Sequence, residues 1–236
     1  MTVHMPAMTL EQTVSWYALM DMHETLPGSW TVVGGQMIHL HCAERGIFPV
    51  RATDDVDALL DVKARPTILL DFTAGLVKAG FAPDGISAEG HQHRWTNGEA
   101  QIDVLISNKL GERKVYETVT GATTVGTPGA ALVLARSEDI AIEVSGRTGT
   151  VRRPTIVGAL IAKAAAHTVG DGKDRHRKDF AMLASMLTAR DLRDANLSKR
   201  ERKYLTAMLA AVVDDPIATE VSPDARNGLE RLSRIL

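Results

Sequence analysis

A glycine pair followed by two closely spaced aspartates constrains this chain more than any other stretch. Gly34 and Gly35 follow a short β-forming run, residues 30 to 33, and residues 55 to 57 read Asp-Val-Asp. A Gly-Gly turn after a strand lets backbone N–H groups approach a phosphate, because no Cβ holds it away. The aspartates open an apolar strand predicted over residues 56 to 62, and side chains two apart on a strand share a face. The stretch therefore predicts two carboxylates beside a phosphate-binding turn.

A third carboxylate joins this pair from a later strand. Asp103 lies in the strand predicted over residues 101 to 106, on the face opposite its apolar residues. Three carboxylates suit two divalent cations, Mg²⁺ or Mn²⁺, that bind together with a nucleoside triphosphate (NTP). Asp61 shares the face of Asp55, but at roughly 13 Å further along a strand it lies too far away to join them.

Composition excludes several other kinds of site. The chain has 236 residues, 44% hydrophobic and 24% charged, which is enough to bury a full core. Its net charge of −2 means that any nucleic-acid contact must use a local basic surface. Cys42 is the single cysteine, so an intrachain disulfide and a multi-thiolate metal site are excluded. No apolar run approaches the ~20 residues of a membrane span and no signal-peptide pattern is present, so we expect no membrane partner and a cytoplasmic location.

The pattern of predicted elements changes near residue 150. Residues 81 to 99 are predicted as hairpin and loop, and residues 114 to 145 as short strands around turns with a short helix. Longer helices are predicted over residues 9 to 26, 36 to 43, 66 to 79, 155 to 169 and 198 to 213. We therefore expect an α+β fold with a mixed sheet flanked by helices in a domain of residues 1 to 150. A C-terminal helical bundle forms the second domain, residues 151 to 236.

The order of these motifs resembles the nucleotidyltransferase superfamily of the DNA polymerase β type. The motifs are Gly34-Gly35, then Arg51-x-Thr53-x-Asp55-Val56-Asp57, then Ile102-Asp103-Val104. An arginine two positions before the threonine, and a late lysine followed by a basic-Asp-aromatic triplet, resemble the AbiEii/AbiGii toxin family within it. These late residues are Lys163 and Arg177-Lys178-Asp179-Phe180. The resemblance covers about residues 30 to 190 and implies a nucleotidyltransferase-like sheet.

The resemblance implies a role for each matching residue in the first half. Gly34 and Gly35 match the motif that holds the triphosphate. Asp55 and Asp57 match the metal-binding pair, and Asp103 matches the third carboxylate, which completes the metal site. Asp103 is also the candidate base for the attacking hydroxyl.

Five further residues are assigned to the site. Lys163 matches a lysine that contacts the nucleotide phosphates, and Asp179 matches a late aspartate that the toxin branch needs for activity. Arg51 and Thr53 belong to the motif and are counted with the nucleotide-binding residues, as is Gln36. The superfamily often has Ser or Thr at the position of Gln36, so the usual hydroxyl contact to a phosphate is in doubt.

The implied activity is Mg²⁺-dependent transfer of a nucleotide from an NTP to a cellular target. The biological role implied is the toxin of a toxin–antitoxin or phage-defence pair, with a cognate antitoxin as partner and the 3′ end of tRNA as preferred target. Transfer to a protein, as AMPylation or self-modification, and transfer to a small hydroxylated molecule are alternatives. A further alternative is a catalytically silent protein that binds nucleotide or RNA.

Two basic clusters in the helical half bear on the acceptor. The first contains Lys173, Arg175, Arg177 and Lys178, and the second contains Lys199, Arg200, Arg202 and Lys203. Solvated helix faces are the ordinary explanation, whereas side-by-side packing would give a positive surface for RNA phosphates. Aromatic residues are only 4% of the chain, so we expect shape and phosphate contacts to a folded RNA rather than base stacking.

Overall fold

The computed structural model describes residues 2 to 108, 116 to 169 and 172 to 236. Its strands are β1 (Thr2–His4), β2 (Trp30–Val33), β3 (Val56–Leu60), β4 (Ala82–Pro83), β5 (Arg94–Asn97), β6 (Ala100–Ser107), β7 (Val125–Thr127), β8 (Ser137–Val144) and β9 (Arg147–Pro154). Its helices are α1 (Leu10–Thr25), α2 (Gly34–Glu44), α3 (Ile68–Lys78), α4 (Ala130–Ala135), α5 (Ile156–Ala166), α6 (Lys173–Ser185), α7 (Ala189–Arg193), α8 (Lys199–Val212), α9 (Ile217–Val221) and α10 (Ala225–Ser233). Mixed sheets followed by a run of helices confirm the predicted α+β class.

A six-stranded mixed sheet carries the predicted carboxylates. Five strands follow the order β2-β3-β6-β5-β4, and β7 pairs with the end of β6. β3 and β6 are parallel, whereas β2 with β3 and β5 with β6 are antiparallel. The register sets Asp57 on β3 opposite Asp103 on β6, and sets Arg94 on β5 opposite Asp103 from the other side. Three charged side chains therefore lie in one row across the sheet.

A smaller sheet, in the order β1-β8-β9, packs against β2. β8 and β9 form a hairpin whose two-residue turn, Ser145 and Gly146, has positive φ at both positions, as such turns require. The sequence predicted a strand over residues 141 to 144 but missed β9. The reason is that arginines and threonines dominate β9 and only Val151 is a fully buried aliphatic residue there.

Helix starts follow the local capping signals. Thr9 Oγ1 accepts from the Gln12 backbone N–H at 3.2 Å and Gln12 Oε1 accepts from the Thr9 N–H at 3.1 Å, which is a capping box. Ser198 and Glu201 make the same arrangement at α8. α2 begins at Gly34, two residues before the predicted start, because φ of +69° at Gly34 turns the chain directly from β2 into the helix.

One continuous hydrophobic core includes residues from both predicted domains. Trp16, Trp30 and Trp95 are fully buried in the first half, and Phe180 and Leu205 are fully buried in the second. Burying each such side chain contributes roughly 1.5–3 kcal/mol. The division at residue 150 stays a prediction, and β9 runs across it.

Two other predictions can be placed on the chain. The region from 81 to 99 contains β4 and β5, which pair antiparallel. The region from 114 to 145 contains β7, α4 and β8, with residues 114 and 115 outside the described part. Among the described residues, none of the helices combines the length and the apolar character that crossing a bilayer would take.

Candidate functional site

A cavity of about 310 Å³ lies between the larger sheet and the helices α5 and α6. Most of the predicted site residues line it: Gly34, Gly35, Arg51, Thr53, Asp55, Asp57, Asp103 and Lys163. Two do not, since Gln36 and Asp179 are buried behind the residues that face the cavity. The cavity therefore brings together side chains from both halves of the chain.

The carboxylates form a crowded acidic floor. Asp57 and Asp103 are direct neighbours on parallel strands, and Asp55 lies just before β3. Burial, and then the charges of Asp55 and Asp103, raise the pKa of Asp57 from 3.8 to about 7. A negative charge is thus costly at this position unless a cation accompanies it.

Donor chemistry and charge fit a divalent cation at Asp55 and Asp57. Carboxylate oxygens are the ligands that Mg²⁺ and Mn²⁺ prefer, and a cation would relieve the repulsion that raises the pKa of Asp57. Asp103, although next to Asp57, forms an ion pair with the guanidinium of Arg94. Accordingly, no three Asp, Glu, His or Cys side chains converge as a metal cage within residues 2 to 108, 116 to 169 and 172 to 236.

The glycine turn fits tightly against the acidic floor. A Cβ on Gly34 would lie 1.7 Å from Asp57 Oδ2, and a Cβ on Gly35 would lie 2.6 Å from Thr53 Cγ2. Both glycines stand in the first turn of α2, whose N-cap residue, Val33, makes no side-chain cap hydrogen bond. The backbone N–H groups of this turn and the positive end of the helix dipole favour an anion. Glycine here lets the carboxylate of Asp57 and the N-terminus of α2 share one small space.

Two glutamine side chains, one of them buried, hold the loop that precedes the aspartates. Gln36 Nε2 donates to the carbonyl oxygen of Thr53 at 2.7 Å, and Gln12 Nε2 donates to the same oxygen at 3.0 Å. His39 Nε2 donates to the carbonyl oxygen of Arg51 at 2.8 Å. Gln36 is fully buried, so its observed contact is with this loop. No local sequence signal could have shown that role.

Asp179 connects two cations that line the cavity. It is 1% exposed, and its Oδ2 lies 2.7 Å from Lys163 Nζ. Arg51 Nε and Nη2 donate to Oδ1 and Oδ2, both at 3.2 Å. Burial alone would raise the pKa of Asp179, but Lys163 and Arg51 hold it below its usual value. Asp179 is therefore a positioning residue that orients Lys163 and Arg51.

We expect Asp179→Asn to weaken both the fold and the activity. The substitution leaves Lys163 and Arg51 without their buried counter-charge, which costs about 3 kcal/mol. Urea unfolding measures this loss. The nucleotide transfer that the motifs predict should fall about 100-fold, because Lys163 and Arg51 lose the ion pairs that orient them.

Asp174→Asn is the matched control, because Asp174 is 75% exposed and pairs with Arg177 on the same helix. It should change neither stability nor rate measurably. An Asp179→Asn protein with the wild-type transfer rate would contradict the positioning role.

Three further cavity residues carry nitrogen donors, and of these only Arg175 was anticipated, as a member of a basic cluster. Arg94 comes from β5, and Arg175 and His176 come from the first turn of α6. Burial, and then the charges of Lys163 and Arg175, lower the pKa of His176 to about 4, so its imidazole is neutral at pH 7. These residues belong to no motif, and only the tertiary fold brings them to the carboxylates.

An apolar wall continues the cavity beyond the carboxylates. Leu59 and Leu105 are register partners two residues past Asp57 and Asp103, on the same face. Small side chains of α4 and α5 face them across the cavity, namely Ala130, Ala162 and Ala166. The cavity thus has a charged end and an apolar end.

The two basic clusters have different surroundings. Arg175 lines the cavity, whereas Arg177 pairs with Asp174 and with Asp215, the latter at 2.8 Å. In the second cluster the Arg200 guanidinium lies 5.8 Å from the centre of the Tyr204 ring. A Cβ on Gly129, the residue that precedes α4, would lie 3.9 Å from that ring. Tyr204 and Arg200 thus stand close to the α4 side of the cavity.

Comparison with known proteins supports the fold. The sequence matches no protein-family model and no curated protein sequence. Among solved structures, the chain is similar to an antigenic nucleotidyltransferase-like protein from Paracoccidioides brasiliensis, with a TM-score of 0.53 over 96% of this chain and 95% of that one. The two sequences are 19% identical, so the likeness speaks for architecture and not for activity. The fold of this chain is nucleotidyltransferase-like, as its motifs predicted.

Proposed function

We propose that this protein is a nucleotidyltransferase that uses a divalent cation and an NTP. One observation carries the proposal: the register sets Asp57 opposite Asp103, next to Asp55, in the same cavity as the Gly34 turn and Lys163. Within a nucleotidyltransferase-like fold, this arrangement provides cation ligands, an anion-binding helix start and a phosphate-directed cation together. A simple solvated turn at residues 54 to 57 would not place them around one cavity.

The residues divide the chemistry between them. The helix start at Gly34 and Gly35, with Lys163, binds the β- and γ-phosphates. Asp55, Asp57 and Asp103 would hold the divalent cations, which would neutralise phosphate charge and lower the pKa of the attacking hydroxyl. The acceptor oxygen bonds to the α-phosphorus, the bond from that phosphorus to the bridging oxygen breaks, and pyrophosphate leaves. Asp103 accepts the hydroxyl proton.

The proposed acceptor is the 3′ end of tRNA, and the proposed biological role is that of a toxin with a cognate antitoxin. Asp179 pairs with both Arg51 and Lys163 in the structure, and these three residues carry the resemblance to the toxin branch. Arg175 at the cavity, with Arg200 near its α4 side, gives positive charge where RNA phosphates would approach. These observations support the proposal at the site, and the acceptor itself is tested by labelling.

We expect label from an NTP carrying a labelled α-phosphate to reach tRNA. The protein is incubated with each of the four NTPs, Mg²⁺ or Mn²⁺, and total RNA, and the products are separated by size. Label appears in the tRNA band with at least one NTP. It disappears when the tRNA is first oxidised with periodate, because oxidation removes the 3′-terminal hydroxyls.

Two controls make the labelling result decisive. Asp57→Asn protein gives no labelled tRNA, and neither does wild-type protein in EDTA. Label on protein instead of RNA would replace tRNA by a protein acceptor, and NTP binding without any transfer would leave a silent binding protein. The toxin role fails if expression of wild-type protein slows bacterial growth no more than expression of Asp57→Asn protein.

A further inference from the structure

The guanidinium of Arg94 forms an ion pair with Asp103, one of the three carboxylates of the site. Arg94 Nε donates to Asp103 Oδ1 at 3.1 Å, and Arg94 Nη2 donates to Asp103 Oδ2 at 3.2 Å. The two residues are direct register partners on antiparallel strands, so their side chains leave the sheet side by side. Both oxygens of Asp103 are thus occupied by one guanidinium, in the bidentate geometry that arginine favours.

The ion pair is open on the side of the cavity. The Arg94 side chain is 40% exposed and lines the cavity, whereas the Asp103 side chain is only 10% exposed. An incoming phosphate can therefore reach the guanidinium without any rearrangement of the sheet. Phosphate oxygens and carboxylates are interchangeable partners for an arginine fork.

A neighbouring amide lets Arg94 release Asp103 without losing all its acceptors. Gln101 stands two residues before Asp103 on the same face of β6. In the orientation that satisfies both ends of its amide, Gln101 Oε1 accepts from Arg94 Nη2 at 3.1 Å and from Nε at 3.0 Å. Gln101 can therefore hold the guanidinium in place while Asp103 turns.

We propose that Arg94 competes with a divalent cation for Asp103, so that the third carboxylate joins the site only after a nucleotide draws Arg94 away. This inference rests on the proposed function. Without nucleotide, Asp55 and Asp57 have no cationic partner among the described residues and can bind a cation, although Asp55 Oδ1 accepts from the Thr53 hydroxyl. Asp103 stays paired with Arg94. The phosphates would then offer Arg94 a new partner, and Asp103 would be released to hold a second cation and to face the acceptor hydroxyl. Arg94 makes assembly of the site depend on substrate.

The test measures Mn²⁺ binding by the nucleotide-free protein, with free Mn²⁺ followed by electron paramagnetic resonance. We expect Arg94→Gln to bind Mn²⁺ about tenfold more tightly than wild type, or to bind a second ion, because Asp103 is freed. Arg94→Lys keeps the charge and should stay close to wild type. Arg152→Gln is the matched control, since Arg152 pairs with Asp139 at 3.0 Å on the smaller sheet, and it should bind as wild type does.

Double variants decide whether the effect passes through Asp103. Arg94→Gln combined with Asp103→Asn should bind Mn²⁺ as Asp103→Asn alone does. Tighter binding that persists in the double variant would overturn the inference, because Arg94 would then act only as a distant charge. Weaker binding by Arg94→Gln would also overturn it, since Arg94 would then hold Asp103 ready for the metal. A wild-type protein that binds no more Mn²⁺ than Asp57→Asn would instead overturn the proposed function, and this inference with it.

Discussion

Asp57→Asn protein should be inactive and, without divalent cations, more stable than wild type at pH 8. The carboxylate of Asp57 is partly buried beside Asp55 and Asp103, and its pKa is raised from 3.8 to about 7. Because the pKa is raised in the folded state, Asp57 does not destabilise the fold below about pH 4, where it is protonated in both states. The free energy of unfolding then falls as the pH rises from about 4 to about 7. Above that pH the ionised group destabilises the fold by an amount on the order of 2–4 kcal/mol. Asparagine removes this penalty.

Unfolding in urea, with EDTA present, measures the difference. The variant should exceed wild type by that amount at pH 8 and by less at pH 5, where Asp57 is protonated in the folded wild type. Mg²⁺ should stabilise wild type and close the gap, because only wild type retains both ligands. Asp214→Asn, at an exposed position, is the control and should show no such pH dependence.

The transfer rate should fall on the order of 10³-fold in the same variant, because several kcal/mol of charge stabilisation depends on the cation. A gain in stability together with a loss of activity identifies a group kept for function at the expense of the fold. An Asp57→Asn protein that is less stable than wild type at pH 8 in EDTA would contradict this account. It would show that the carboxylate has a favourable partner.

Gly34→Ala should disable the site although it adds a single methyl group. The new Cβ would lie 1.7 Å from Asp57 Oδ2 and 2.6 Å from its Cγ, so the metal ligand must move. Backbone strain at φ of +69° adds roughly 1–2 kcal/mol. We expect transfer to fall at least about 100-fold, which corresponds to about 3 kcal/mol at the transition state.

Gly46→Ala separates the two effects of that substitution. Gly46 follows the other end of α2, has φ of +65°, and has no atom within 4 Å of an added Cβ. It should therefore lose similar stability in urea unfolding while keeping the wild-type transfer rate and Mn²⁺ affinity. If both variants lose activity equally, strain in α2 and not the collision with Asp57 is responsible.

The sequence was informative where function needs residues close together in the chain. Gly34 with Gly35, and Asp55 with Asp57, are local patterns whose geometry follows from a turn and from strand alternation. Asp103 could be assigned to the same site because apolar and polar residues also alternate along its own strand. These residues form the acidic floor and the helix start of the observed cavity.

Contacts between distant residues could not be predicted. The partners of Asp179 lie 128 residues away at Arg51 and in another helix at Lys163, and a capping or periodicity argument reaches neither. Gln36 departs from the Ser or Thr of the motif, and the sequence alone did not explain that departure. In the structure its Nε2 donates to the carbonyl oxygen of Thr53 at 2.7 Å. Arg94 lies in a region predicted as hairpin and loop, and only the sheet register sets it beside Asp103.

The ion pairs of Asp179 make the first half of the chain depend on the second. Arg51 belongs to the segment that carries Asp55 and Asp57, whereas its buried acid comes from α6 in the helical half. A gene fragment encoding only residues 1 to 150 would carry the acidic floor but would leave the guanidinium without its counter-ion. The half that carries the acidic floor is therefore not self-contained, because a cation lining its cavity is neutralised by a side chain of the other half.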